Sequence, residues 1–111
     1  MLRIPGLIGV SADLLREKGA VNEEVVTQLA TGALRHSPAS VSLAVSGVLG
    51  PEEDEDGNPV GLVYFCCTRL GAQPVVVKGE FGEKKPEQLL QLTLSRAFDL
   101  IESCVDESRA S

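Results

Sequence analysis

A run of five consecutive carboxylates is the first feature of this 111-residue sequence that could do chemistry. Residues 50–61 read GPEEDEDGNPVG, so the acids lie between a Gly-Pro and an Asn-Pro. Closely spaced carboxylates can bind Ca²⁺, but an EF-hand loop requires Asp at its first position and Glu at its twelfth. Counted from Glu52, those positions hold Glu and Val63, and Pro59 interrupts the loop. The run is therefore predicted to be a solvated loop, and no metal site is expected.

Thiol and imidazole groups form a second set of candidate ligands. Cys66 and Cys67 are adjacent, so on a strand their side chains point to opposite faces, while Cys104 is far from both in sequence. With His36, the only histidine, they offer too few soft ligands in a recognisable spacing for zinc. We therefore expect three free, buried thiols in a reducing cytoplasm, and no cofactor.

Serine hydroxyls are the remaining candidates for nucleophilic chemistry. Amide hydrolysis through serine needs a base within hydrogen-bond reach and donors for the oxyanion. Ser11 and Ser46 lie far in sequence from any Lys or His that could serve as that base. His36 is predicted at a helix end, where it complements the helix dipole. No catalytic residue is therefore assigned.

The charge balance and the chain start exclude several kinds of partner. The net charge of −6 argues against nucleic acid and anionic membranes, because both require a basic footprint. The first apolar stretch is interrupted by Pro5 and Gly6 and is too short for a signal peptide. Nothing approaches the roughly 18 apolar residues of a membrane span. A cytoplasmic protein is expected.

Three helices are predicted from apolar periodicity and capping residues. The first covers residues 9–19, with Ser11 as N-cap and Gly19 at its end, and the second runs from the cap Asn22 to Pro38. The third and longest covers residues 84–107, with Pro86 in its first turn. The second helix is expected to bury Val26, Leu29, Ala30, Ala33 and Leu34. The third is expected to bury Leu90, Leu94, Ala97, Ile101 and Val105, flanked by Leu89 and Phe98.

Three strands are predicted between the second and third helices. Residues 40–47 alternate apolar and small side chains, and the near-continuous apolar run at 60–69 is typical of a central strand buried on both faces. A short turn leads into a third strand at 73–81, so these two strands are expected to pair as an antiparallel hairpin. This order predicts an α/β fold, a three-layer α/β/α sandwich with a small mixed sheet, in one domain over residues 1–111.

Four sequence patches, in order, resemble the C-terminal domain of the CinA competence/damage-inducible family. They are LIGVSADLLREKGAVNEEVV at residues 7–26, SLAVSGVLGP at 42–51, NPVGLVYF at 58–65, and the closing amphipathic helix. Pro51 and Pro59 are separated by seven residues, a spacing that many members of the family share. This resemblance implies a CinA-like fold and a relationship to nicotinamide mononucleotide amidohydrolases.

The resemblance also implies a ligand-side loop. In the family the loop after this strand lies beside the nucleotide site, which makes Ser46, Gly47, Gly50 and Pro51 candidate substrate-binding residues for nicotinamide mononucleotide or a related nucleotide. The alternative is a strand-terminating turn whose glycines only satisfy sharp backbone angles. Where the family has further glycines, this chain has Glu53 and Asp54, whose charges would repel a phosphate.

Departures from the family pattern concern its chemistry. Members begin with a Ser-x-Thr-Gly-Gly helix, whose Ser is the proposed nucleophile, and a strand ending near Tyr-Ser-Asn-x-x-Lys, whose Tyr and Lys are proposed to activate it. This chain lacks that first helix and strand and has Ile4 where the Lys would fall. Arg3 is one place away, but its guanidinium stays protonated and is a poor base. We therefore expect no amidohydrolase activity from this polypeptide.

Three readings remain open at this point. The first is a CinA-like domain with a vestigial nucleotide site, and the second is an active amidohydrolase whose missing part is supplied by a longer native chain. The third is an interaction module that forms a homo-oligomer to complete its narrow sheet. An unpaired edge strand favours this last reading, as do four apolar residues near the start, Leu2, Ile4, Leu7 and Ile8.

Overall fold

A computed structural model describes residues 19, 21–35 and 41–110, with side chains described up to residue 105. Its elements, in chain order, are helix α1 (Glu23–Arg35), strands β1 (Val41–Gly47), β2 (Leu62–Arg69) and β3 (Val75–Glu80), and helix α2 (Pro86–Ala110). All five match elements predicted from the sequence. The predicted first helix with its cap Ser11 lies outside the described residues, as do His36, Pro38 and the four apolar residues near the start.

Helix α1 begins where its capping residue predicts. The Asn22 side-chain oxygen accepts a hydrogen bond of 2.9 Å from the Val25 backbone N–H, which satisfies a donor that the helix itself cannot. Two glutamates in the first turn and one arginine in the last complement the helix dipole. The residues that α1 buries are Val25, Val26, Ala30 and Gly32. The prediction was wrong for Ala33, which is exposed because the buried face is centred closer to Val26.

The sheet has the order β1-β2-β3, with the apolar run in the middle as predicted. Strand β2 pairs antiparallel with both neighbours, so the expected hairpin with β3 is confirmed. The expected mixed character is not found among the described strands. A parallel pair needs a crossover connection such as a helix, whereas β1 and β2 are joined by a loop without one.

The two helices cover opposite faces of the sheet, which confirms the three-layer α/β/α arrangement. Val63, Phe65 and Cys67 belong to the core cluster under α2. Cys66 faces the other way and packs with Val26 and Ala30 of α1. The neighbouring cysteines therefore point to opposite faces, and all three cysteines are free and buried as predicted.

Helix α2 contacts the sheet through a different stripe from the one predicted. Its buried residues are Leu89, Thr93, Ala97, Leu100 and Cys104. Leu90, Leu94 and Phe98 are exposed instead, at 48%, 47% and 63% of their surface. The helix is thus rotated by about one residue from the expected orientation, and small side chains such as Ala97 and Cys104 allow it to approach the sheet closely. Neither described helix is long and apolar enough to cross a membrane.

Candidate functional site

The candidate ligand-side loop lies at the end of the sheet where β1 and β3 end and β2 begins. Gly47 is opposite Val63 in the β1–β2 register. Beyond it, the Val48 N–H donates to the Leu62 carbonyl at 3.0 Å, and the Gly61 N–H donates to the Val48 carbonyl at 2.8 Å. These two hydrogen bonds close the base of the 48–61 loop, so both ends of the loop are held against the sheet.

The structure brings the four predicted ligand-side residues together at this end. Ser46 is buried on β1, and Pro51, exposed in the loop, follows Gly50 through a cis peptide bond. A Cβ on Gly47 would lie 2.7 Å from Val63 Cγ2, so only glycine fits this close approach. A Cβ on Gly50 would lie 3.2 Å from Val60 Cγ1. Both glycines therefore have a packing role whether or not a ligand binds beside them.

The acidic run is organised around one of its own carboxylates. Asp54 Oδ1 accepts hydrogen bonds from the backbone N–H groups of Asp56 at 2.9 Å and Asn58 at 2.8 Å. The Asn58 side-chain amide donates to Asp54 Oδ2, also at 2.8 Å. Burial acts to raise the pKa of Asp54, but the hydrogen bonds from Asn58 and Asp56 outweigh it and hold the pKa below its usual value. Asp54 therefore serves to fold the loop, and Glu52, Glu53 and Glu55 are exposed.

The acidic loop also contacts the approach to helix α1. Gly19 has a φ of 75°, and a Cβ there would collide with the Asp56 carboxylate. The Asn22 side-chain amide donates to the Gly19 carbonyl at 3.0 Å, so the same asparagine that caps α1 also holds this turn. Within the described ranges, no group of three or more His, Cys, Asp or Glu side chains is arranged to hold a metal ion.

A cleft of about 470 Å³ adjoins the loop on the β3 side. Residues 59–62 form one wall, and Lys78, Glu80 and Gly82 form the other. Gly61, with a φ of 92°, is so close to the backbone of Gly82 that no side chain fits between them, and the Phe81 N–H donates to the Gly61 carbonyl at 2.9 Å. Val60 lines the cleft and also contacts the position of Gly50, so the cleft and the loop share a wall.

One row of side chains crosses all three strands beside this cleft. The register aligns Ser46 of β1, Tyr64 of β2 and Lys78 of β3. The Lys78 ammonium lies 5.9 Å from the centroid of the Tyr64 ring and 3.1 Å from Glu80 Oε1. The hydrogen bond and the charge of Glu80 raise the pKa of Lys78, so its amine is protonated at neutral pH. Ser46 and Lys78 are separated by two strand spacings, about 10 Å between backbones, with the tyrosine between them.

The described thiols are unsuited to nucleophilic attack at neutral pH. Burial raises the pKa of Cys66, although the Thr27 hydroxyl lowers it in part. Burial, with the neighbouring Cys104 thiol, raises the pKa of Cys67 to about 12. The thiolate is the nucleophilic form of cysteine, so both side chains remain unreactive packing groups.

Sequence reasoning missed the β3 side of this site. Lys78 and Glu80 alternate on one short strand, and Gly82 follows one residue beyond it. The predicted β2–β3 hairpin already implied that the end of β3 lies beside the start of β2. That pairing was the signal that could have brought Lys78 next to Tyr64 and within two strands of Ser46.

Known proteins resemble this chain in both sequence and fold. The family model of the CinA C-terminal domain matches residues 5–105. A CinA-like protein of Mycobacterium sp. (strain JLS) is 44% identical over 69 residues, which are 62% of this chain and 16% of that protein. The nicotinamide-nucleotide amidohydrolase PncC of Enterobacter agglomerans is 35% identical over 85 residues, 77% of this chain and 52% of that protein.

The fold comparison agrees. A crystal structure of a competence-damaged protein (CinA) superfamily protein from Escherichia coli superposes with a TM-score of 0.79 at 33% sequence identity. That match covers 86% of this chain and 55% of the other chain. The chain therefore spans about half the length of this structure and of the amidohydrolase, and a much smaller part of the mycobacterial relative.

Proposed function

Because the chain belongs to the CinA C-terminal domain family, we propose that it binds a ligand of the nicotinamide mononucleotide class and, as this polypeptide, does not hydrolyse the ligand's amide. The binding site is the end of the sheet that carries Ser46, Gly47, Gly50 and Pro51. A single observation carries the proposal: this loop shares the Val60 wall with a cleft lined by groups of both charges. A cytoplasmic role in NAD salvage is part of the same proposal.

The size and charge of the cleft suit this ligand class. A volume of about 470 Å³ lies within the range of small-molecule sites. Nicotinamide mononucleotide carries a cationic pyridinium ring and an anionic phosphate. Lys78 supplies a cation for the phosphate and Glu80 an anion for the ring, and the backbone of Gly47 can approach the ligand without a side chain in the way.

The acidic loop sets the affinity of the site. Asp54 is held by Asn58 and Asp56, so the exposed Glu53 is the free carboxylate nearest in sequence to the ligand-side residues. A phosphate bound beside the loop is repelled by these carboxylates, and salt screens this repulsion. The proposed site therefore binds weakly, and its affinity rises with ionic strength.

The absence of hydrolysis in this proposal rests on the protonation and burial of the nearby groups. A serine nucleophile requires a base in hydrogen-bond reach. Ser46 is buried, and the Lys78 that shares its row stays protonated beside Glu80. Within the described residues, the row therefore presents an ammonium group where a serine hydrolase needs a neutral base.

Two assays on the same preparation test the proposal. Isothermal titration calorimetry with nicotinamide mononucleotide is expected to show saturable binding, and an ammonia-release assay is expected to show no turnover above the buffer rate. Absence of heat at millimolar ligand would refute binding. Ammonia release would refute the non-catalytic part and favour an active amidohydrolase, as in the relative named PncC.

A matched pair of loop variants separates site-specific from general effects. Glu53→Gln is expected to tighten binding several-fold, because it removes repulsion beside the phosphate. Glu55→Gln removes the same charge from the same exposed loop, on the far side of Asp54, and is expected to have a smaller effect. Equal effects of both variants would show that only the net charge of the protein matters.

A further inference from the structure

We propose that this protein forms a homodimer through the outer side of helix α2, with the two copies of the helix antiparallel. The surface concerned is the α2 stripe, defined as Leu90, Leu94 and Phe98. These side chains are four residues apart, so they lie one above another on one side of the helix. They are exposed at 48%, 47% and 63%, although they belong to the element with the most apolar residues.

The α2 stripe continues the buried face of the helix. At about 100° per residue, the stripe lies directly beside the buried line that contains Thr93, Ala97 and Cys104. Ile101 and Val105 are half-buried between the two. The apolar face of α2 is therefore about twice as wide as the sheet beneath it covers, which is the pattern of a helix that packs on a sheet and on a second helix.

The α2 stripe is complementary to itself in the antiparallel orientation. A twofold axis at Leu94 places this residue against its own copy and Leu90 against the partner's Phe98. Parallel helices would instead pair each residue with itself and place equal charges side by side. A twofold homodimer is the commonest closed assembly, and it needs only one such patch.

Charge at the ends of the stripe favours the same orientation. Glu102 follows Phe98 by one turn, and the axis at Leu94 places it beside the start of the partner's helix, next to Lys85. The antiparallel arrangement also brings each positive helix end to a negative one. Glu83 and Glu87 flank the lysines at this end, so the electrostatic contribution is modest and the apolar stripe supplies most of the affinity.

A pair of leucine variants on the same helix tests the surface. Leu92 is also exposed, at 37%, but it lies on the side of α2 away from the stripe. Sedimentation equilibrium from micromolar to millimolar protein is expected to show a dimer for the wild type and for Leu92→Glu. Leu94→Glu places two carboxylates at the axis and is expected to weaken dimerisation about a hundredfold or more. A monomeric wild type, or equal effects of the two variants, would overturn the proposal.

Cysteine cross-linking tests the orientation without depending on a destabilised variant. Under a mild thiol oxidant, Leu94→Cys is expected to form a disulfide-linked dimer, because the axis brings the two copies of this position together. Leu90→Cys faces the partner's Phe98 and is expected to stay reduced. Equal cross-linking of both variants would contradict the antiparallel arrangement, and cross-linking of neither would contradict the interface.

Discussion

The close approach of Gly61 to Gly82 yields a quantitative prediction, because it fastens the candidate loop to the end of β3. Gly61→Ala places a methyl group where the backbone nitrogen of Gly82 would be only 2.6 Å away and its carbonyl carbon 2.8 Å away. The residue also has a φ of 92°, which disfavours alanine by about 1–2 kcal/mol. Relief of the collision requires the two segments to separate, which breaks the 2.9 Å hydrogen bond from the Phe81 N–H at a cost of about 1 kcal/mol.

The expected loss for Gly61→Ala is therefore about 3 kcal/mol of unfolding free energy, the sum of the conformational and contact effects. Gly71→Ala is the matched control, because Gly71 has a similar φ of 77° but nothing within 4 Å of the added methyl. It should lose only the conformational part, about 1–2 kcal/mol. Urea denaturation followed by circular dichroism measures both values. Equal losses would show that the Gly61–Gly82 approach does not constrain the loop.

Four further predictions concern stability and reactivity. Asn22→Ala should lower the unfolding free energy in urea by about 1 kcal/mol, because the cap of α1 is lost. The pKa of Asp54 is lowered by its hydrogen bonds, so its stabilisation is present above the ordinary carboxyl pKa and is lost as the pH falls through the lowered value; acid titration of Asp54→Asn should show a shallower loss. Thr93→Val should raise the thermal midpoint, since the buried Thr93 hydroxyl has no hydrogen-bond partner. The raised Cys67 pKa, about 12, predicts that stability falls as the pH rises above 9.0, the ordinary thiol value, and that iodoacetamide labels Cys67 at neutral pH only on unfolding.

The elements of this fold could be predicted from local sequence, but the orientation of the last helix could not. Asn22, Pro86 and the turn between β2 and β3 act through near neighbours, so the limits of α1, α2 and the hairpin follow from capping and turn rules. The apolar residues of α2 cover about half of its circumference. Periodicity locates such a face but not the part that contacts the sheet, because tertiary packing selects the smaller side chains for close approach.

The candidate site was predicted on one side only. The resemblance marked Ser46, Gly47, Gly50 and Pro51, and the structure places all four at one end of the sheet. The role of Asp54 in folding the acidic loop depends on hydrogen bonds to Asn58, which a count of charges does not reveal. The proximity of Lys78 to Tyr64 depends on strand register, which the sequence left open.

An NMR titration with nicotinamide mononucleotide tests the proposed function most directly, because it reports both whether the ligand binds and where. In ¹H–¹⁵N spectra of the labelled protein, we expect saturable shifts of residues 46–51 and 59–62 together with Lys78. Leu70 and Gly71, in the turn at the opposite end of β2, should not move. Absence of shifts at millimolar ligand, or shifts centred on that opposite turn, would contradict a nucleotide site at this end of the sheet.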